Sequence, residues 1–298
     1  MKNLLVALLL CCYSSLAFSQ EVVVVSSSRR TNLNDDKSAK TFNASIRCYY
    51  TFSQANEKTE KMIRIDTMAL LIGDTQSKFY NPAKYTRDSI FGSILSNVNP
   101  NTIQSVSVMK DASLGDLSSR PGETSSTNSN DGESYQIIKN RNTNSLYLYD
   151  YFGMSSDSYG YNDKPVFSWK ISQDTASILG YPCQKATADF RGRTYTAWFS
   201  TDIPINDGPW KFMGLPGLIL KINDSKNLFG FELIGIENIT ESYAVQIPKA
   251  RYDCNHKQFE GMKQKQGGGM QINVNGGNII IASAPGKYEY NPIELNIK

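Results

Sequence analysis

The chain has 298 residues, with 31 basic against 28 acidic side chains and a formal net charge of +3. That balance supplies no electrostatic footprint for nucleic acid. With 40% apolar and 20% charged residues, 17 Tyr and 13 Phe, the composition favours strands and turns and is too aromatic for wholesale disorder. A single histidine, His256, excludes poly-histidine metal cages and leaves one candidate for any histidine-dependent chemistry.

Residues 1–19 read as a secretory signal peptide: Lys2 supplies the positive start and residues 4–12 an apolar run too short to span a bilayer. Ala17 and Ser19 place small residues before a cleavage site at Gln20. No later stretch is apolar enough for a transmembrane helix, so the expected location is the periplasm or the periplasmic side of the outer membrane. Removing the leader takes Cys11 and Cys12 with it and leaves Cys48, Cys183 and Cys254. In an oxidising compartment three thiols permit one disulfide, and Cys183 with Cys254 is the candidate pair. No Cys-x-x-Cys spacing supports a redox or zinc site.

Residues 20–44 read as a polar N-terminal arm that begins with a short valine run, and 45–298 as one β-rich domain. Strand patterns cover 45–50 and 61–72, with a hairpin return at 77–80 after Gly73-Asp74. A helical spacing follows from Tyr85 to Val98, carried by Ile90, Phe91, Ile94, Leu95 and Val98 with Asp88 as its cap. Residues 118–134 are Ser/Asn-rich and aromatic-free, the text of a solvated loop within the domain. Alternating runs resume at Tyr135, Leu146, Phe167, Gln184, Thr194, Leu218 and Phe229. A second helix is expected near 255–266 with Phe259 and Met262 inward, followed by a Gly-rich tail with a short strand. The expected fold is mainly β: a single curved antiparallel sheet or partly open barrel with two or three helices packed on it.

Gly214-Leu215-Pro216-Gly217-Leu218-Ile219 reproduces the signature of the GLPGLI family of exported Bacteroidota proteins. Ile178-Leu179-Gly180-Tyr181, the Phe190 to Trp198 stretch, Gly208-Pro209-Trp210-Lys211-Phe212 and the closing Asn291-Pro292-Ile293-Glu294-Leu295 resemble the same pattern. The resemblance implies an envelope protein of undefined function. Physically, Pro204, Pro209 and Pro216 forbid a regular central strand through 202–217. The segment reads as a packed crossover ending in a type II turn, with Gly217 at the position of positive φ.

The chemistry-bearing patterns are thin. Cys254 and His256 stand two apart, and no phosphate loop, dinucleotide fingerprint or zinc-protease motif is present, so no catalytic residue, metal ligand or cofactor is assigned. The expected role is that of a non-catalytic factor binding a hydrophobic ligand or an outer-membrane protein. Arg193, Trp198, Trp210 and Phe212 are its candidate contacts. A periplasmic hydrolase of peptide or glycan and a purely structural envelope module are the alternatives.

Overall fold

The computed structural model describes residues 40–86, 88–89, 103–109, 132–151, 158–264, 268–274, 277–283 and 292–295. The expected leader, most of the polar arm, most of the first helical pattern, including Ile90, Phe91, Ile94, Leu95 and Val98, and most of the Ser/Asn-rich loop lie outside these residues. Twelve strands form one open sheet in the order β13-β7-β6-β5-β3-β2-β1-β12-β11-β10-β9-β8. They are β1 (Thr41–Ala55), β2 (Met62–Gly73), β3 (Gln76–Tyr80), β5 (Gln136–Asn140), β6 (Ser145–Tyr151), β7 (Ser158–Asp163), β8 (Lys170–Ile178), β9 (Tyr181–Phe190), β10 (Arg193–Ser200), β11 (Leu218–Asp224), β12 (Phe229–Gln246) and β13 (Tyr252–Asp253). All neighbours pair antiparallel except β13, which runs parallel to β7. The mainly β expectation holds. A separate three-stranded sheet joins β14 (Gly268–Val274) to β15 (Gly277–Ser283) and to β4 (Ile103–Met109), so the Gly-rich tail is a hairpin rather than two turns around one strand.

Several boundaries move for local reasons. β1 begins at Thr41, four residues inside the expected arm, because Thr41 to Ala44 find partners on β12. The first helix starts at 82: Asn81 Oδ1 accepts the Lys84 amide at 2.9 Å and Pro82 takes the first helical position, so Asn81 rather than Asp88 is the cap. The helix α1 (His256–Gln264) is closed by a reciprocal box in which the Gln258 amide donates to Asn255 Oδ1 at 2.8 Å and Gln258 Oε1 accepts from the Asn255 amide at 2.9 Å. Its Phe259 is buried as expected. The end of the Ser/Asn-rich loop is not solvated, since Glu133 bridges Arg64 of β2 and Lys263 of α1.

The segment 201–217 is not a crossover. β10 and β11 are neighbours, with Ser200 opposite Leu218, so the chain leaves and re-enters the sheet at one place. Between those points it folds inward as a plug. Phe212 is fully buried and forms its aromatic hub, 4.8 Å from Tyr195, 5.1 Å from Trp210 and 6.4 Å from Phe231 by ring centroid. Phe231 in turn stacks on Phe52 of β1 at 4.8 Å and meets Phe79 of β3 edge-on. Tyr50 of β1 donates its hydroxyl to Ile219 O at 2.8 Å. One short segment that touches strands across the whole order requires the sheet to curl around it, and a single apolar cluster fills the concave side.

Charge fixes the start of the plug. Lys139 of β5, fully buried, meets the equally buried carboxylate of Asp207 and donates to Gly208 O. Arg141 adds a second contact to Asp207 at 3.3 Å. Burial pulls the Lys139 ammonium down in pKa, and the Asp207 carboxylate opposes that fall.

The motif glycines do two different jobs. Positive φ falls on Gly214 (100°) and on Trp210 (50°), not on Gly217, so the expected type II turn is not formed. Gly217 is needed for approach: a Cβ there would stand 2.0 Å from the carbonyl oxygen of Ser200. Gly217→Ala should therefore lower stability in urea titration by about 3 kcal/mol. Gly261→Ala on α1, where an added Cβ meets nothing within 4 Å, should instead raise it by up to about 1 kcal/mol.

Candidate functional site

Five elements converge on one charged cluster. β7 alternates so that Tyr161 lies in the core and Asp163, two residues on, ends the strand on the same side. The β9–β10 hairpin turns on Arg191 and Gly192, with φ of 45° and 89°, the pattern of a two-residue turn. That turn aims Arg191 at Asp163, which it grips with two parallel bonds of 2.8 and 2.6 Å. From the plug, Lys211 Nζ donates to Tyr161 Oη at 2.9 Å, Asp163 at 3.2 Å and Glu294 Oε1 at 2.8 Å. Arg191 also donates to Glu294 Oε1 at 2.7 Å. From the first turn of α1, His256 stacks on Tyr161 at 5.0 Å and brings Nε2 within 2.5 Å of Glu294 Oε2.

The cluster is nearly closed to water, with Lys211 and Glu294 side chains only 1% and 3% exposed. Burial alone would raise the Glu294 carboxyl, but Lys211, His256 and Arg191 overcome it and hold the group at about 2. Burial likewise works against Asp163, and the bonds from Arg191 and the charge of Lys211 hold it at about 2. Burial pushes the His256 imidazolium down, while the acceptor carboxylates of Glu260 and Glu294 more than offset this and leave its pKa above the ordinary 6.5. Burial, with Glu294 and Asp163 nearby, drives the Tyr161 phenol well up. Both carboxylates are committed to cations and the imidazole to a carboxylate. That arrangement holds charges in place; it presents neither a free base nor an activated nucleophile. Cys254 bonds the carbonyl of Gly160 at 3.6 Å and burial raises its thiol, so it does not form a pair with His256.

A second cluster holds the far end of α1. Glu133 lies between Arg64 and Lys263, whose charges bring it to about 2 against the effect of burial. Nearby Asp150 is buried, with no cation in ion-pair contact among the described residues; burial lifts it to about 7, and Ser134 Oγ donates to its Oδ1 at 2.6 Å.

The residues singled out in the sequence are mostly interior. Phe212, Trp210 and Arg193 are 0%, 4% and 6% exposed, so none of them faces outward. Arg193 lies over the Phe229 ring at 4.7 Å and donates to the carbonyls of Ile293 and Pro292, both at 3.0 Å. Trp198 differs: it is half-buried, on the alternate face of β10, in register with Lys185 on one side and Lys221 on the other. Of the name motif, Leu215, Leu218 and Ile219 are core residues. Cys48, Cys183 and Cys254 are all free. The expected Cys183–Cys254 bridge is not formed, because Cys183 sits on β9 bonded to Tyr181 O while Cys254 is held at β7. Among the described residues no group of His, Cys, Asp and Glu is arranged to hold a metal ion. Also among them, no helix is long and apolar enough to cross a membrane.

No local pattern in the sequence marks Lys211, Asp207, Asp163, Arg191 and Glu294 as ion-pair partners. One signal was available: a lysine between Trp210 and Phe212 in a Pro/Gly-rich apolar run must be buried, and a buried ammonium demands carboxylates. Their identity could not be read, since they lie 48 and 83 residues away.

Stability should follow these ionisations. His256, with its folded pKa raised, contributes fully below pH 6.5 and loses that contribution as pH climbs through the folded value. Glu294 and Asp163, with folded pKa values lowered, contribute above their ordinary range and lose it as pH falls toward about 2. Asp150, with its folded value raised to about 7, adds a loss as pH rises from about 4 to 7, so melting temperature should peak near about pH 5 and decline on both sides. The groups facing the imidazole are Glu260, Glu294, Arg191, Lys211 and Tyr161. His256→Gln should flatten the decline on the alkaline side and leave the acid limb in place. Lys211→Met should cost about 3 kcal/mol by chemical denaturation, because two buried carboxylates each lose one cation while Arg191 still holds both.

Comparison with known families finds one match, to a protein family of unknown function, Porph_ging, over residues 190–221. That stretch runs from the Arg191 turn through the plug into β11. No curated protein matches the sequence. Among solved structures, PNGF-II in its P21 crystal form aligns with TM-score 0.46 and 12% identity, over 74% of this chain and 33% of that one. Its C2 form aligns with TM-score 0.47 and 13% identity, with the same coverage. The chain thus spans about a third of the length of those structures.

Proposed function

We propose that this is an exported cell-envelope protein of the GLPGLI type, acting as a non-catalytic factor that binds an envelope protein partner through its outer surface. The observation that carries this reading is the plug. Trp210, Phe212, Met213 and Leu215 fill the concave side of the sheet and are each 4% exposed or less, so the space a hydrophobic ligand would take is occupied by the chain itself. Of the two ligand classes the sequence left open, a protein partner is therefore favoured over a lipid-like one. The leader-like residues 1–19 and the motif at 214–219 within the matched stretch support export and the family name. On the outer face, the half-buried Trp198 between Lys185 and Lys221 is the contact best placed for a partner.

Native mass spectrometry of the protein purified from its own periplasm should give the bare mature mass; a lipid-sized adduct released on denaturation would overturn the filled-core argument. In crosslinking to outer-membrane proteins, Trp198→Ala should reduce capture at least tenfold while lowering the melting temperature far less than truncation of a fully buried core aromatic, since Trp198 packs only partly against the core. Trp210→Ala should instead lower the melting temperature sharply, a cost of about 3–5 kcal/mol for a truncated core aromatic.

A further inference from the structure

Residues 292–295 belong to no strand, yet the body of the protein grips them along their length. Arg193 donates to the carbonyls of Pro292 and Ile293, and Tyr195 adds its hydroxyl to Ile293 O at 3.1 Å. The Leu295 amide donates to Arg191 O at 2.9 Å. Ile293 packs against the apolar core, and the Glu294 carboxylate enters the notch between Lys211, Arg191 and His256. Every receiving group sits on an element with its own anchorage. Arg191, Arg193 and Tyr195 belong to a paired hairpin, Lys211 to the plug beside Trp210 and Phe212, and His256 to α1. The geometry is that of a preformed receptor for an extended peptide: main-chain carbonyls read by a guanidinium and a phenol, one apolar seat, and one carboxylate read by a lysine, an arginine and an imidazole.

We infer that the notch of Arg191, Arg193, Tyr195, Lys211 and His256 is a peptide-recognition site for an extended segment carrying an apolar residue followed by Glu, filled here by the chain's own residues 292–295. A partner presenting that pair on an open segment competes for it. This site is separate from the outer face around Trp198, so its test does not depend on export or on the envelope partner. Because the chain's own segment is tethered, it holds the notch at a high effective concentration, and a free peptide enters only when that segment is weakened.

The test uses the full chain with Glu294→Gln, which keeps the receptor and weakens its occupant, and a labelled synthetic peptide of residues 290–296 read by fluorescence anisotropy. The peptide should bind the variant at least tenfold more tightly than it binds the unaltered chain. A peptide with Gln in place of Glu should bind the variant at least tenfold more weakly than the Glu peptide. Equal binding of the two peptides, or no binding by a variant that still melts cooperatively, would overturn the proposal. Where Glu294→Gln does not fold, Ile293→Asp replaces it, since it removes the apolar occupant and leaves Lys211, Arg191 and His256 in place. If neither chain folds, residues 292–295 are an integral part of the core and the notch is not a receptor.

Discussion

A twelve-stranded open sheet can curl around the plug because two charges on the plug are neutralised inside it. Asp207 binds Lys139 and Arg141 from the β5 side, and Lys211 binds Asp163 and Glu294 on the β7 side. Between these anchors the plug lays Trp210 and Phe212 into the concavity. Without the anchors the same segment would be a Pro/Gly-rich loop with no reason to point inward. Buried ion pairs of this sort add little net stability compared with apolar packing, but they discriminate strongly against alternatives, since any misplacement leaves a charge alone in the core. Their contribution is register: they select which strands face which part of the plug.

The same logic explains why the aromatic and arginine side chains of the central motif are interior. A plug made only of aliphatic residues could slide, whereas Trp210 holds a left-handed backbone that its surroundings must enforce. Lys211 Nζ lies 5.1 Å over its ring and Phe190 meets it edge-on. Arg193 is used in a comparable way, its charge shared between Asp224 and two main-chain carbonyls while its plane covers Phe229. Gly208 and Gly217 complete the fit by letting the plug approach Ile219 and the end of β10 more closely than any side chain would allow.

Much of the sheet was legible in the sequence because alternation is local. Tyr50 and Phe52, Leu146 and Leu148, and Tyr195, Ala197 and Phe199 announce one face each. The helix at α1 was legible from its apolar spacing, and its cap from Asn255. Alternation misleads where a strand carries its polar residues inward. On β2 the inward positions are Arg64 and Asp66, and Ile65 between them is 62% exposed, because Glu133 and Lys263 await the charges at the rim of the sheet. β8 shows the opposite failure: its start was placed at Phe167, but Phe167 and Trp169 stack on the core before the strand begins at Lys170. The edge strand itself is mostly exposed, and two extra residues between Ile171 and Thr175 break its register. The candidate site was the least legible part. It consists of charges on five separate elements, and no local pattern reports a partner that lies a hundred residues away.

That separation has a kinetic side. Arg191 meets Glu294 across 103 residues, and β1 pairs with β12 across about 190, so the contacts that define the native state are among the most distant the chain can make. Loop closure over such lengths is slow, and most of the sheet must be in place before the last carboxylate arrives. A chain emerging from its amino end can assemble β1, β2 and β3 early. It then carries Arg191 and Lys211 without Glu294 until residue 294 has been released. For that interval Asp163 alone faces both cations at the edge of a half-built sheet, and the cluster stays one carboxylate short, which gives the nascent molecule a built-in delay between collapse and completion.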